Sequence, residues 1–270
     1  MVDIDAAIGF IVARGDAVDR ARLSHLRTGA TPAAEIFDHV ERGQTHIGGW
    51  PADPEESVAS IDATCFRLAE LDALSGLSRP SSVRALRWLA ARQRLDGSWE
   101  EDRLLAGSAP SWATPGDPEA RFYLTVTAAF WLAIAAADTA QAEFEIAPPY
   151  QMNLDRAATA IRGQIEESGA WPGFLVSGWL AAAVLYLTGW FYESARILVL
   201  LGDRVQTMSA SDTALMTAAL RRAGVDSDDS LMAAARQRLA ETQRSDGAWP
   251  SDDAPAFDVH TTLTALRALR

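Results

Sequence analysis

The sequence predicts an all-α fold, an α/α toroid of about six helical hairpins with an inner and an outer ring. Three observations predict it. A Gly-x-Trp signature recurs four times, an amphipathic helix precedes each copy, and a more apolar helix follows it. The chain has 270 residues, enough for one domain with a large core, and neither a strand pattern nor a flexible linker interrupts it. A single domain over 1–270 is therefore expected.

The four copies are Gly48-Gly49-Trp50, Gly97-Ser98-Trp99, Gly169-Ala170-Trp171 and Gly247-Ala248-Trp249. Gln44, Gln93 and Gln243 stand six residues before their tryptophans, and Gln164 is one position off. An aliphatic residue stands ten before each: Val40, Leu89, Ile161 and Leu239. Helices are expected upstream over 32–42, 81–94, 154–167 and 229–243, with Pro32 and Asp229 placed where helix starts favour them. The more apolar partners run over 58–74, 121–138, 175–188 and 258–269. A further pair, 192–203 and 211–223, fits between the third and fourth copies without the signature, and helices over 4–13 and 16–27 open the chain. One such pair cannot bury its apolar face alone, so neighbours must stack. The amphipathic helices then belong outside and the apolar ones inside.

Two stretches stand apart from the repeat. Residues 102–119, rich in Gly, Pro and Ser, are expected to form a flap loop over one end of the ring, carrying Trp112. Residues 174–191 hold no charge over eighteen positions, the lower limit for a membrane span. Gly178 and Gly189 interrupt this stretch and the repeat accounts for it, so a buried helix is expected.

Composition excludes several functions. The net charge is −12 and every basic residue is Arg, which rules out Schiff-base lysine chemistry and a P-loop lysine. The acidic balance argues against nucleic acid as a partner and against a polybasic membrane patch. The single cysteine, Cys65, leaves no internal disulfide and fits a reducing compartment. Residues 1–5 carry acids in place of a basic leader, so a cytoplasmic protein is expected. Neither Gly-x-Ser-x-Gly, His-Glu-x-x-His nor a Gly-rich nucleotide loop is present. Asp-Asp-x-x-Asp is also missing, because Asp252-Asp253 is followed by Ala-Pro-Ala-Phe.

Arg84-Ala85, Trp88-Leu89, Gln93 and Gly97-Ser98-Trp99 together resemble the QW repeat of squalene–hopene cyclase and related class II terpene cyclases. The Gln243 copy matches most positions, with Arg238 in the aromatic place, and the resemblance runs from about residue 32 to the C-terminus. It implies that the Gln ties a helix end to its neighbour and that the Trp packs on it. It also implies a central apolar cavity for an isoprenoid small molecule, with no cofactor, in which an alkene or epoxide is protonated and the cation guided. Peripheral membrane contact is compatible with such a substrate. The chemistry needs a strong acid, aromatic faces that stabilise positive charge, and exclusion of water. The chain is far shorter than the two-toroid cyclases, which argues against full polycyclisation of a squalene-length substrate.

The family's proton donor is the middle Asp of an Asp-x-Asp-Asp run, usually followed by Thr near the start of an inner helix. Asp226-Ser227-Asp228-Asp229 fits the letters but precedes an outer helix, where it reads as a helix cap. Ser60-Ile61-Asp62-Ala63-Thr64 is better placed: aligned on Thr64, Asp62 takes the proton-donating position, and Ser60 and Ala63 replace the flanking acids. Aligned likewise, Asp258 and His260 take acidic positions in the last inner helix and Asp212 one in the repeat without signature, as rim partners of Asp62. Phe66, Phe130 and Trp131 are expected to line the cavity, with Trp112, Tyr123 and Trp179 as further substrate contacts.

Two other readings stay open. A toroid without the flanking acids could bind an isoprenoid or a protein partner without catalysis. Alternatively, protein prenyltransferase β-subunits share the toroid and hold zinc through Asp, Cys and His. Asp62, Cys65 and His260 would be that set here, although the family's spacing is Asp-x-Cys.

Overall fold

The computed structural model describes residues 2–53, 55–142, 149–226 and 229–270. Among them are twelve α-helices: α1 (Ile4–Arg14), α2 (Ala17–Thr28), α3 (Ala34–Val40), α4 (Ile61–Asp72), α5 (Pro80–Arg92), α6 (Pro118–Ala142), α7 (Gln151–Arg162), α8 (Leu175–Leu187), α9 (Phe191–Arg204), α10 (Ala210–Arg222), α11 (Ser230–Thr242) and α12 (Asp258–Leu269). One two-residue antiparallel ribbon, β1 (Trp50–Pro51) with β2 (Ala59–Ser60), precedes α4. It is too short to leave an alternating pattern, and it shortens the helix expected from residue 58.

The chain forms two compact units, one of residues 1–36 with 198–270 and the other of residues 37–197. In the first, α12 packs against α1, α2, α10 and α11. Its core joins Ile11, Leu23, Leu239, Trp249, Leu263 and Leu266. In the second, α6 packs against α4, α5, α7 and α8. Trp50, Trp99, Trp179, Leu68 and Leu124 are fully buried there. By length and composition α6 could cross a membrane, but 78% of its apolar window lies buried within the protein. The uncharged stretch 174–191 holds only a thirteen-residue helix, α8, whose residues 177–185 are all buried.

The Gln and Gly-x-Trp residues knit one outer helix to the next. Gln93 Nε2 donates to Gly97 O (3.1 Å) and to Asn153 O in the first turn of α7 (2.8 Å). Gln44 bridges Gly48 O and Ser81 O of α5 in the same way. Gln243 bridges Gly247 O and Asp3 O ahead of α1, and its Oε1 accepts Asp3 N–H. The glycine allows the close approach. Gly97 sits at φ +85°, and a Cβ there would run into the Arg156 carbonyl of α7. The indole N–H of Trp99 donates to Leu89 O and that of Trp249 to Leu239 O.

Each of three tryptophans also anchors an inner helix through its backbone. Trp50, Trp99 and Trp249 donate their N–H to Thr64 (α4), Thr125 (α6) and Thr262 (α12). Each of these threonines in turn donates to the carbonyl four residues back. The third copy departs from this. Trp171 Nε1 donates to Phe174 O, and Gly178 stands in α8 where Thr64 stands in α4, because a Cβ there would run into the Trp171 ring.

Candidate active site

The α4 N-terminus is assembled from two directions. Ser60 is its N-cap, accepting Ala63 N–H on Oγ. Glu101, from the segment after Trp99, covers the two amides before that one: Oε2 accepts Ile61 N–H (2.9 Å), and Oε1 accepts Asp62 N–H (3.0 Å) and the Ser60 hydroxyl (2.7 Å). All three first-turn donors are thereby satisfied. Glu101 is only 4% exposed. Burial pushes its carboxyl above the ordinary value despite these three hydrogen bonds, with the Asp62 charge acting in the same direction.

Asp62 is the second residue of α4, and both its oxygens are engaged. The Tyr123 hydroxyl of α6 donates to Oδ1 (2.9 Å) and the Trp112 indole N–H to Oδ2 (3.1 Å). Tyr123 stands two residues before Thr125, as Asp62 stands two before Thr64, so equivalent positions of two inner helices meet. Burial, and then the neighbouring Asp62 charge, push the Tyr123 phenol far up, which keeps it a neutral donor. Its ring meets Phe174 edge-on at 6.1 Å. Trp112 lies in a short 3-10 turn, Ser111–Ala113, of the loop expected as a flap, and is 47% exposed. That loop carries a second 3-10 turn, Arg103–Leu105, and ends where α6 begins at Pro118.

The structure thus brings Asp62, Trp112 and Tyr123 together. Phe130 and Trp131 are buried in α6 as an edge-on pair at 5.1 Å, and Trp179 is buried in α8. Phe66, one turn below Asp62, is 57% exposed. Asp212, Asp258 and His260 belong to the other unit. Asp258 is buried and held by Arg244 Nη1 (2.8 Å) and Ser251 N–H (2.8 Å), so it is committed to an ion pair at the start of α12. His260 Nδ1 lies 3.4 Å from Arg22 Nη1. Burial, reinforced by Asp252, pushes the Asp212 carboxyl up. In the acidic run, Asp229 caps α11 by accepting Leu231 N–H, while residues 227 and 228 lie outside the described residues.

Among the described residues no group of three or more His, Cys, Asp or Glu side chains could hold a metal ion. Cys65 is buried, and burial together with Asp62 and Glu101 pushes its thiol well up, which disfavours the thiolate that zinc requires. The residue that sequence reasoning missed is Glu101. Its signal was a broken pattern: Pro follows Trp50, Trp171 and Trp249, whereas Glu100-Glu101 follows Trp99.

No protein-family model matches the chain, and no curated protein sequence does. Solved structures do match. The type II terpene cyclase MstE from Scytonema, without ligand, superposes over 98% of this chain and 96% of its own with TM-score 0.60 at 14% identity. The fold is that of the type II terpene cyclases. A variant of MstE bound to its substrate, geranylgeranyl dihydroxybenzoate, matches at 15% identity and TM-score 0.60, covering 98% of this chain and 95% of that one. A protein from Actinoplanes matches at 18% identity and TM-score 0.63, over 98% of this chain and 97% of its own. The all-α toroid expected from the repeat is therefore the fold of this chain.

Proposed function

We propose that this chain is a type II terpene-cyclase-like enzyme that cyclises or isomerises an isoprenoid by proton-initiated carbocation chemistry, with Asp62 as the acid. The observation that carries this reading is the Asp62 carboxyl, held by Tyr123 and Trp112 on a fold shared with such cyclases. The Gln and Gly-x-Trp ties belong to the same proposal, as QW repeats in the structural role that the resemblance implies.

In the proposed reaction, protonated Asp62 gives its proton to one carbon of an alkene. The π electrons form the new C–H bond and leave a cation on the other carbon. A second alkene attacks that cation, and a proton lost at the end restores a neutral product, so the net change is isomerisation. Tyr123 and Trp112 donate to the carboxylate that remains, which supports its negative charge next to a cation. Buried aromatic faces such as Trp131 and Trp179 suit cation stabilisation in an apolar cavity.

The first-turn amides of α4 are already taken by Glu101 and Ser60. They offer no site for an anionic group, which favours an uncharged hydrocarbon end beside Asp62. A single 270-residue domain and a cytoplasmic setting belong to the same proposal.

The test is to incubate wild-type and Asp62→Asn protein, without added metal, with linear prenyl alcohols, prenyl diphosphates, squalene and a prenylated dihydroxybenzoate. Products are read by mass spectrometry. The expected outcome is an isomeric product from wild type and none from the variant. Equal product from both would remove Asp62 from the chemistry.

A further inference from the structure

Trp99, Glu100 and Glu101 are consecutive in the chain and serve three different bodies. Trp99 is fully buried, and its N–H donates to Thr125, which fixes the chain to α6. Glu100 accepts the N–H of Gly116 (2.7 Å) and pairs with Arg94 (2.8 Å), which holds the far end of the loop that carries Trp112. Glu101 holds the first turn of α4 through Ser60, Ile61 and Asp62. These are the bodies whose side chains meet at Asp62: Tyr123 from α6, Trp112 from the loop, and Asp62 itself from α4.

A carboxylate is a favourable occupant of a helix N-terminus, but it usually comes from the helix's own first turn. Here it comes from about forty residues away (separations of 39 to 41) and is buried. Helix first turns fray, and Asp62 lies in one. Its backbone N–H is fixed by the same Glu101 oxygen that takes the Ser60 hydroxyl. Buried ions contribute little to stability by themselves, and their better-attested use is to specify a geometry.

We propose that Glu101 is a positioning residue for Asp62: it pins the first turn of α4 in the register at which the Asp62 carboxyl meets Tyr123 and Trp112. This rests on the reading of Asp62 as the acid. Glu101 touches neither substrate nor the reacting proton; it acts through the backbone of Ile61 and Asp62. Glutamine in its place keeps the shape and one acceptor oxygen, but its amide nitrogen cannot accept, so one arm leaves its α4 donor unpaired and turns N–H groups towards it. The Trp99 and Glu100 anchors are untouched by that change.

Glu101→Gln is the test, with two readouts. The nine tryptophans each give one indole N–H resonance in a 15N-labelled sample. The Trp112 resonance is identified by its loss in Trp112→Phe. The expected result is cooperative unfolding as in wild type, eight indole resonances in place, and the Trp112 resonance displaced because its acceptor has moved. Turnover should fall by roughly tenfold to a hundredfold in kcat with KM retained, as for a misplaced catalytic group. A Trp112 resonance at its wild-type position would overturn the proposal. So would a shift of all nine together with loss of cooperative unfolding, which would make Glu101 a general support of the fold. If wild type turns over no substrate, the acid role of Asp62 fails, while the indole spectrum still decides whether Glu101 positions it.

Discussion

Asp62 accepts hydrogen bonds from side chains 61 and 50 residues away, and this convergence distinguishes it from an ordinary residue in a helix first turn. Register made it visible in the sequence: it stands two residues before Thr64, whose hydroxyl is fixed by Trp50. Tyr123 and Trp112 were legible only as expected substrate contacts, one on an apolar helix and one in a loop. That they donate to one carboxylate depends on long-range pairing, which local pattern does not encode. Glu101 was hidden for the same reason, since an acid after a buried Trp has no periodic signature. A hydrogen bond to a charged group contributes about 1.5–3 kcal/mol, so Tyr123→Phe should lower kcat by roughly tenfold to a hundredfold. The same loss should lower the thermal midpoint by a few degrees, with unfolding still cooperative because the phenyl ring keeps its packing. Unchanged turnover in this variant would separate Tyr123 from the chemistry.

The helices themselves were the most legible level, because amphipathic and apolar segments alternate along the chain. Their ends were less so. The helix expected to reach residue 167 stops at Arg162, where the turn towards Gly169 begins, and the one expected from residue 121 starts at Pro118. The repeat explains why its glycines are glycines. Gly97 combines a left-handed backbone with backbone contact from α7, whereas Gly107 has open space around it. Gly97→Ala should therefore cost about 2 kcal/mol or more, from conformational strain plus displacement of a neighbouring helix. Gly107→Ala should be within about 0.5 kcal/mol of wild type. Denaturant unfolding of the two variants side by side checks this. Equal stability would mean that the Gly-x-Trp approach is not what ties these outer helices.

Across the whole chain, identity to the matched structures is 14–18%, yet 98% of the residues superpose. What the sequence made legible at this scale is the order of outer and inner helices and the ties between successive outer ones. In the first unit those ties join the two ends of the chain through Gln243 and Asp3. The chemistry is less legible than the architecture, because Ser60 and Ala63 stand where the resemblance implies acidic neighbours of the proposed acid, Asp62, and a second carboxylate, Glu101, arrives from elsewhere in the chain. The proposed reaction depends on where the initiating proton comes from. Turnover of an isoprenoid substrate in heavy water, read by mass spectrometry, tests this most directly. Initiation by Asp62, which exchanges its proton with solvent, predicts one deuterium at the initiating carbon of every product molecule and no product from Asp62→Asn. A product without deuterium there would mean that the reaction begins by ionisation of a leaving group, and would contradict protonation of an alkene by Asp62.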